Sequence, residues 1–420
     1  MNTHTTTTNP SPFRRVAHSA VIAAAATLLL ATAACSSDDS ATPSKPVAPT
    51  VAPTSSPPTT AVTVPPTVSV PVTTAAPPTT TESSDAAQAM LSGILQSHHA
   101  AGEFVGARIA LRASDGTTTE VVGGTTTVDP ASPSVDTDVA WNIGSVTKTF
   151  VAVVVLQLAD EGKIDLDAGI EQYMPDLADA DHITPRELLQ HTSGLGEYND
   201  KPAVLNDAHR VWTPAELIAV AEDAGRVGEP GGPFHYSNTN YIALGEIIDK
   251  VTGNSWDHEV QTRIAEPLGM TNTSALGADL PVGYKSVDGA FVDSTTSMDP
   301  STAGAAGGLE STGHDLLLFA TALADGTLMS PESQAAMGAF IPGEDYSQFG
   351  IVHSYGLGFE RYATDAITVE GHMGTGEAQS AFLGFDPEHG TAVAVMTNTA
   401  TAGPQAFMAV EALTAANAAG

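Results

Sequence analysis

The chain contains little of the residues that most directly restrict a protein's chemistry. Its 420 residues include a single cysteine, Cys35, so no disulfide can form within one chain. Only 15 residues are Lys or Arg against 48 Asp or Glu, which gives a formal net charge of −33. Because nucleic acids and anionic membranes bind mainly through positive charge, neither is a predicted partner. The 13 histidines show no metal-ligand spacing, so no metal or cofactor is expected, and the lack of a Gly-x-Ser-x-Gly sequence argues against an α/β-hydrolase.

The N-terminus has the features of an export signal. Arg14 and Arg15 precede an apolar, alanine-rich stretch that ends in small residues directly before Cys35. This arrangement is similar to the bacterial lipoprotein signal, in which the cysteine is acylated. We therefore predict a lipoprotein-type signal over residues 1–35, lipidation of Cys35, and a location at the outer face of the cell membrane or in the cell wall. Thr32 stands where leucine is usual, so an ordinary secretory signal or an uncleaved anchor stays open.

Residues 36–84 consist almost entirely of Pro, Thr, Ser, Ala and Val and show no apolar periodicity. Such a composition cannot bury a core, so we predict a disordered linker that tethers the rest of the chain. Residues 1–84 carry equal numbers of basic and acidic side chains, so the whole net charge of −33 lies on residues 85–420. That length is ample for one large catalytic domain.

Hydrophobic periodicity predicts the fold of residues 85–420. Strands near both ends of this region and helices between them indicate an α/β domain of the α+β kind, with an antiparallel β-sheet flanked by helices and a mostly helical lobe. The predicted helices include 85–98, 241–251, 311–324, one from Gln405, and two that begin with capping boxes at Thr184 and Thr213. The predicted strands are 105–112, 117–122, 355–361, 367–370, 380–385 and 391–397.

The first chemical signal is the pair Ser145 and Lys148. Lysine is rare, with six in the chain, and Lys148 is the only one that has Ser three residues before it. Residues three apart share a helix face, so the amine can reach the hydroxyl and activate it for attack on a carbonyl. The following stretch, 150–156, is apolar on every side and predicts a buried helix. A solvated Ser and Lys at a helix cap is the alternative.

Two further segments carry chemistry-bearing residues. Tyr236 and Asn238 offer a phenol and an amide two residues apart. Beside a charged Lys148, the phenol could ionise below a pKa of ~10 and accept the Ser145 proton. Alternatively, Asn238 caps the helix that follows.

The third segment, Val369-Glu-Gly-His-Met-Gly-Thr-Gly376, joins glycines to His372. Glycine is expected where backbone must approach a substrate closely, as at Gly374. The backbone N–H groups of Ser145 and Thr375 are candidates for an oxyanion hole. A purely structural histidine is the alternative reading of His372.

Ser145-x-x-Lys148, Tyr236-x-Asn238 and His372-x-Gly374, in that order, resemble the serine β-lactamase and penicillin-binding protein superfamily. The Tyr-x-Asn form is similar to the class C branch, which includes D-Ala-D-Ala carboxypeptidases and related esterases. The resemblance extends over residues 86–415 through further phrases of the sequence: Leu188-Leu-Gln-His-Thr-Ser-Gly-Leu195, Pro230-Gly-Gly-Pro-Phe-His-Tyr-Ser-Asn238, Ala306-Gly-Gly-Leu-Glu-Ser-Thr312 and Tyr355-Gly-Leu-Gly358.

The resemblance implies roles for the motif residues. Ser145 would be the nucleophile, Lys148 and Tyr236 the acid/base pair, and Asn238, His372, Gly374 and Thr375 the substrate-binding groups. Met373 departs from the threonine whose hydroxyl often binds the substrate carboxylate in this family, and Arg361 is a candidate substitute. His191 is interpreted as part of a structural loop.

The resemblance also implies a function. The expectation is an exported serine hydrolase that forms a seryl acyl-enzyme with amide or lactam substrates, most directly a D-alanyl-D-alanine carboxypeptidase or a β-lactamase-like enzyme. The expected partners are small molecules or peptidoglycan stem peptides, with β-lactams possible, and a membrane only through a lipid anchor. An esterase of the same family and a non-catalytic penicillin-binding wall module are the alternatives.

Overall fold

The computed structural model describes residues 81–277, 280–401 and 403–419. The predicted signal peptide, Cys35 and most of the predicted linker lie outside the described residues. The first described helix, α1, spans Thr81–Ala100, so it begins four residues before the predicted start and includes the end of the predicted linker.

In the described residues, eight strands form one antiparallel sheet that is assembled from both ends of the domain. Its order is β2-β1-β13-β12-β11-β10-β9-β8, so the two N-terminal strands add onto the last strand of the C-terminal meander. The strands are β1 Gly106–Arg112, β2 Thr118–Gly124, β8 Ile341–Pro342, β9 Val352–Tyr355, β10 Glu360–Ala363, β11 Thr368–Thr375, β12 Ser380–Phe385 and β13 Ala392–Thr397. Two small three-stranded sheets contain β3 Trp141–Asn142, β4 Ser274–Ala275 and β7 Leu309–Ser311, and β5 Tyr284–Val287, β6 Ala290–Asp293 and β14 Thr399–Ala400.

The helical lobe lies between β2 and β8 in the chain. Thr184 and Thr213 each begin a helix with both hydrogen bonds of a capping box, which confirms the two predicted starts. The helices are α2 Thr147–Asp160, α3 Pro185–Leu189, α4 Pro202–Leu205, α5 Pro214–Ala224, α6 Asn238–Thr252, α7 Trp256–Val260, α8 Glu266–Leu268, α9 Gly304–Gly307, α10 Gly313–Ala324, α11 Pro331–Met337 and α12 Pro404–Ala419. A π-helical turn, Gln261–Ala265, joins α7 to α8.

One predicted strand, residues 355–361, is wrong in its placement. The segment begins at the last residue of β9 and ends in β10, and between them is a hairpin turn closed by a hydrogen bond of 2.7 Å from Gly356 N–H to the Phe359 carbonyl. Gly358 has φ +73°, a backbone conformation that glycine adopts readily. The alternation of apolar residues across the two strand ends hides this turn in the sequence.

Two apolar clusters hold the layers together. The larger cluster joins α2, α6 and α10 to one face of the sheet, and its centre is α2, whose residues from Thr147 to Leu156 are all buried. The smaller cluster joins α1 and α12 to the opposite face. Because both faces are covered, β12 and β13 are buried along their whole length. The predicted α+β architecture, an antiparallel sheet with flanking helices and a helical lobe, is confirmed.

None of the helices in the described part of the chain is both long enough and apolar enough to cross a membrane.

Candidate active site

Ser145 lies in a short 3₁₀ turn, Gly144–Val146, directly before the buried helix α2. The turn fits against the end of β11 only because two glycines leave room. Gly144 has φ +52°, and a Cβ on it would lie 2.7 Å from the Thr375 nitrogen. A Cβ on Gly374 would lie 1.9 Å from the Ile143 carbonyl oxygen. Such distances are below any van der Waals contact, so these glycines allow the hydroxyl-bearing turn to contact the strand directly.

Lys148 is buried, and its amine has three polar neighbours. Nζ lies 2.9 Å from Ser145 Oγ, 2.7 Å from Asn238 Oδ1 and 2.6 Å from the Ala306 carbonyl oxygen in α9. The last two oxygens can only accept, so the amine donates to both of them. A neutral amine has two N–H bonds and one lone pair. Its lone pair is then the only group left to meet Ser145, whose hydroxyl can donate to it.

Burial determines the protonation of this amine. It lowers the pKa of Lys148 from 10.5 to about 7, while the negative charges of Glu197 and Glu360 pull the pKa upward without overcoming the loss of solvent. A general base is most effective when its pKa lies near the working pH. The structure therefore makes Lys148 available as a neutral base beside the Ser145 hydroxyl.

Asn238 is held in one orientation by Glu197, which no sequence motif had indicated. Glu197 Oε2 accepts from the Asn238 backbone N–H at 2.8 Å and from Asn238 Nδ2 at 2.9 Å. A carboxylate cannot donate, so the amide nitrogen must face Glu197 and the amide oxygen must face Lys148. The alternative in which the Asn238 side chain caps the following helix is not what the structure shows. Asn238 is the first residue of α6, whose N-cap is Ser237.

Tyr236 contacts the pair, but not in the predicted protonation state. Its ring stacks on His191 with centroids 4.3 Å apart, and the centre of the ring lies 5.0 Å from Lys148 Nζ. Burial raises the pKa of Tyr236 well above 10, and the nearby Glu360 and Glu197 charges add to the rise. The prediction of a phenol that ionises below its ordinary pKa is therefore wrong, because loss of solvent outweighs the attraction of the amine. Tyr236 is therefore a neutral phenol, with a proton that it can donate.

His372 is also placed differently from the prediction. The family resemblance implied that His372 binds substrate, but its side chain is 1% exposed and lies behind the site. Nε2 is 3.0 Å from Tyr355 Oη, and Nδ1 is 2.7 Å from the Met373 carbonyl oxygen. Because that carbonyl accepts, Nδ1 carries the proton and Nε2 accepts from Tyr355. Burial lowers the pKa of His372, which is consistent with a neutral ring.

His191 continues this chain of neutral groups. Its Nδ1 accepts from Ser237 N–H at 3.2 Å and lies 3.0 Å from Asn240 Nδ2, so Nε2 carries the proton and donates to Tyr355 Oη at 3.2 Å. Burial lowers the pKa of His191 well below 6.5. The ring is thus more than part of a loop, because it forms the surface on which Tyr236 stacks.

Arg361 lies outside the site, so its predicted contact with substrate is wrong. Its guanidinium forms an ion pair with Glu370 at 2.5 Å and covers the Phe340 ring at 3.9 Å. Glu370 is five residues before Thr375 on β11, a distance of about 16 Å along an extended strand. The register of β10 against β11 fixes this separation, and the sequence alone did not specify it.

A pocket of about 140 Å³ opens beside Ser145. Its lining includes Asn238, Thr375, Asn142 and apolar side chains such as Leu276 and Met298. Thr375 is exposed at the end of β11, and its amide borders the turn that carries Ser145. The two predicted oxyanion-hole amides therefore lie on adjacent backbone segments at the pocket. Gly374 is buried against the turn that carries Ser145. It was predicted as a substrate-binding residue, but its contribution in the structure is to leave room for that turn.

Three contributors were missed from the sequence: Glu197, Tyr355 and the Ala306 carbonyl. Ala306 and Tyr355 fall in phrases that already resembled the family. Glu197 directly follows the Leu188–Leu195 phrase and Gly196. Within the described ranges, no group of three or more His, Cys, Asp or Glu side chains is arranged to hold a metal ion.

Three known proteins show what this chain is similar to. Penicillin-binding protein 4 of Amycolatopsis lactamdurans is 28% identical over 285 residues, which cover 63% of this chain and 74% of the relative. The structure of a D-stereospecific amidohydrolase from Streptomyces sp. has a TM-score of 0.67 at 29% identity and covers 78% of this chain and 98% of that one. D-amino acid amidase from Ochrobactrum anthropi SV3, complexed with L-phenylalanine amide, has a TM-score of 0.71 at 28% identity and covers 79% of this chain and 98% of the amidase.

The sequence model described as Beta-lactamase matches residues 91–417, which is most of the chain. The superfamily resemblance inferred from the three motifs is confirmed by this match and by the penicillin-binding relative. The chain belongs to the beta-lactamase family of serine hydrolases.

Proposed function

We propose that this protein is an exported serine hydrolase that forms an acyl ester at Ser145 from amide, lactam or ester substrates. One observation carries the proposal. The buried Lys148 amine donates its hydrogen bonds to Asn238 Oδ1 and the Ala306 carbonyl, and its remaining position faces Ser145 Oγ at 2.9 Å. An amine held in this way activates a serine hydroxyl as a nucleophile.

The proposed reaction has two halves. In acylation, Ser145 Oγ bonds to the carbonyl carbon, its proton moves to Lys148 Nζ, and the backbone N–H groups of Ser145 and Thr375 stabilise the oxyanion. The bond to the leaving nitrogen or oxygen then breaks. Tyr236 gives its phenolic proton to the leaving group and recovers one from the Lys148 ammonium. In deacylation, water adds to the ester carbon, the acid is released, and Ser145 regains its proton.

The relatives support this class of reaction and widen the range of substrates. One relative is named a penicillin-binding protein, and two solved relatives are named an amidohydrolase and an amidase. D-alanyl-D-alanine carboxypeptidase, β-lactamase and esterase activities all use the same acyl ester. A non-catalytic wall-binding module would have no need of a base at Ser145, so the geometry favours an enzyme.

Labelling with a fluorophosphonate probe tests the proposal, because a serine oxygen activated by a base displaces fluoride from the probe and stays attached to it. We expect one probe per chain, attached to Ser145, together with turnover of p-nitrophenyl acetate. Ser145→Ala should abolish both. Ser286→Ala is a matched control on the exposed strand β5, and it should behave like the unmutated protein. Absence of labelling in the unmutated protein would refute the proposal.

Export and lipidation form a separate part of the proposal and rest on residues 1–35 of the sequence. We expect the mature chain to begin at an acylated Cys35, which holds the domain at the outer face of the cell membrane. Mass spectrometry of the mature N-terminus checks this, with Cys35→Ala as the variant that loses the lipid. A mature chain cleaved elsewhere, without added mass, would show an ordinary secretory signal instead.

A further inference from the structure

The leaving side of a substrate bound at Ser145 would meet the end of β11. Among the described residues, this strand end offers no Lys or Arg side chain to a substrate carboxylate. The His372 ring is buried behind the site and bonded to Tyr355 and the Met373 carbonyl. The Met373 side chain packs against the smaller apolar cluster. It lies on the face of the sheet opposite to His372, because neighbouring residues of a strand alternate between the two faces. From this strand end, Thr375 lines the pocket, followed by Gly376.

The charge of the pocket lining also disfavours a substrate that carries a carboxylate. Among the described residues, the lining includes no Lys, Arg or His side chain but does include Asp299 and Glu377. Lys285 reaches the pocket edge only as the ion-pair partner of Glu377. Asp299 accepts from the Ser301 N–H at 3.0 Å and hydroxyl at 2.6 Å, and it has no ion-pair partner in the described part of the chain. A substrate carboxylate would be desolvated beside carboxylates without a free cation.

The net charge of the whole molecule also repels anionic substrates, and it does so over a longer range. A net charge of −33 surrounds the site, and such a field lowers the local concentration of anions and their rate of association. Neutral and cationic substrates do not face this barrier. The local lining and the overall field therefore select against the same chemical group.

We propose that the site acts on acyl compounds whose leaving group carries no carboxylate, namely carboxamides, neutral esters and their amine-bearing forms, and that it discriminates against peptides with a free C-terminal carboxylate. This inference rests on the proposed acyl-enzyme at Ser145. It narrows the function from a D-alanyl-D-alanine carboxypeptidase to an amidase or esterase with the same catalytic groups.

A matched pair of depsipeptides tests the inference. N-acetyl-D-alanyl-D-lactate and its lactamide share the scissile ester and the acyl group, and they differ only in whether the leaving group ends in a carboxylate or a carboxamide. We expect kcat/KM to be at least about tenfold higher for the lactamide, a difference of about 1.4 kcal/mol. We also expect the ratio to decrease as salt is added, since salt screens the field. Equal rates, or a preference for the carboxylate, would overturn the inference.

A charge variant tests the role of the pocket lining. Glu377→Gln removes one carboxylate from the pocket and releases the Lys285 ammonium, so the preference for the lactamide should shrink by about threefold or more. Glu388→Gln is the matched control, because Glu388 is exposed on the turn after β12 and lies outside the lining. It should leave the ratio unchanged. An unchanged ratio in Glu377→Gln would exclude the proposed part of this residue.

Failure of the inference and failure of the proposed function give different results. If no acyl-enzyme forms, the fluorophosphonate does not label Ser145 and neither depsipeptide is cleaved. If the acyl-enzyme forms but the inference is wrong, Ser145 is labelled and the free carboxylate reacts as fast as the lactamide or faster. Labelling of Ser145 without cleavage of the lactamide would also count against the inference.

Discussion

The rate of acylation should follow the protonation of Lys148. The side-chain amine of most lysines is charged at neutral pH, but burial lowers the pKa of the Lys148 amine from 10.5 to about 7. A base must be neutral to accept the Ser145 proton. We therefore expect acylation to speed up as pH rises through about 7 and then to level off.

The lowering of the Lys148 pKa from 10.5 to about 7 determines how strongly the rate depends on pH. The shift corresponds to about 5 kcal/mol in favour of the neutral amine. With a pKa of about 7, roughly half of the amine is neutral at pH 7 and about a tenth at pH 6, so the rate should fall about tenfold per pH unit below 6. With an ordinary pKa of 10.5, fewer than about one amine in a thousand would be neutral at pH 7, and the rate would still rise beyond pH 9.

The assay is the rate of fluorophosphonate labelling between pH 5 and pH 9, because the probe has no ionisable group that would change its own charge. Lys148→Arg keeps a cation but removes the base, since guanidinium stays protonated, and should slow labelling by at least about 10²-fold at every pH. Lys163→Arg is the matched control, because Lys163 is exposed and pairs with Glu161. A flat profile in the unmutated protein, or labelling by Lys148→Arg within threefold of it, would refute the assignment of the base.

Three other changes probe the surroundings of this base. Glu197→Gln should move the rise in rate to lower pH by about one unit, because the Glu197 charge favours the protonated amine, and the same pH profile measures it. Tyr236→Phe should slow cleavage of an anilide by roughly 10²- to 10⁴-fold but affect a p-nitrophenyl ester far less, since a neutral phenol serves mainly to protonate a poor leaving group; equal losses in kcat/KM would contradict this role. Gly374→Ala should lower the free energy of unfolding by about 2 kcal/mol because its Cβ would meet the Ile143 carbonyl, whereas Gly93→Ala in α1 has open space around it and is the control in a urea titration.

The sequence predicted the architecture because the large elements carry strong periodicity. The capping boxes at Thr184 and Thr213 place two helix starts without error, since each satisfies backbone donors within four residues. The hairpin at residues 355–361 was not predictable in the same way. Its turn lies between two strands whose apolar residues alternate in step, so the pattern continues through the bend. Local periodicity specifies elements well and the breaks between them poorly.

In the active site too, local contacts were predictable from the sequence, and contacts between distant segments were not. The spacing of Ser145 and Lys148 was enough to predict their contact, because residues three apart in a helical segment are neighbours. The protonation of Tyr236 and the position of His372 depend on burial and strand register, which are properties of the folded chain. Arg361 was expected to bind the substrate carboxylate in place of the threonine that Met373 replaces, but sheet register places it beside Glu370. Residues that act through long-range packing are therefore visible only in the structure.

The arrangement around Lys148 shows why an amide, and not a carboxylate, stands between the base and the nearest negative charge. Asn238 is bonded on one side to Glu197 and on the other to the amine, at 2.7 Å. An aspartate in its place would put a carboxylate in direct contact with Nζ and hold the amine protonated, because an opposite charge at that distance stabilises the ammonium by several kcal/mol in a buried site. The amide accepts the same hydrogen bond without the charge. Glu197 can thus orient Asn238 while burial keeps Lys148 close to neutral, and both conditions are needed for one residue to take a proton from Ser145 and return it.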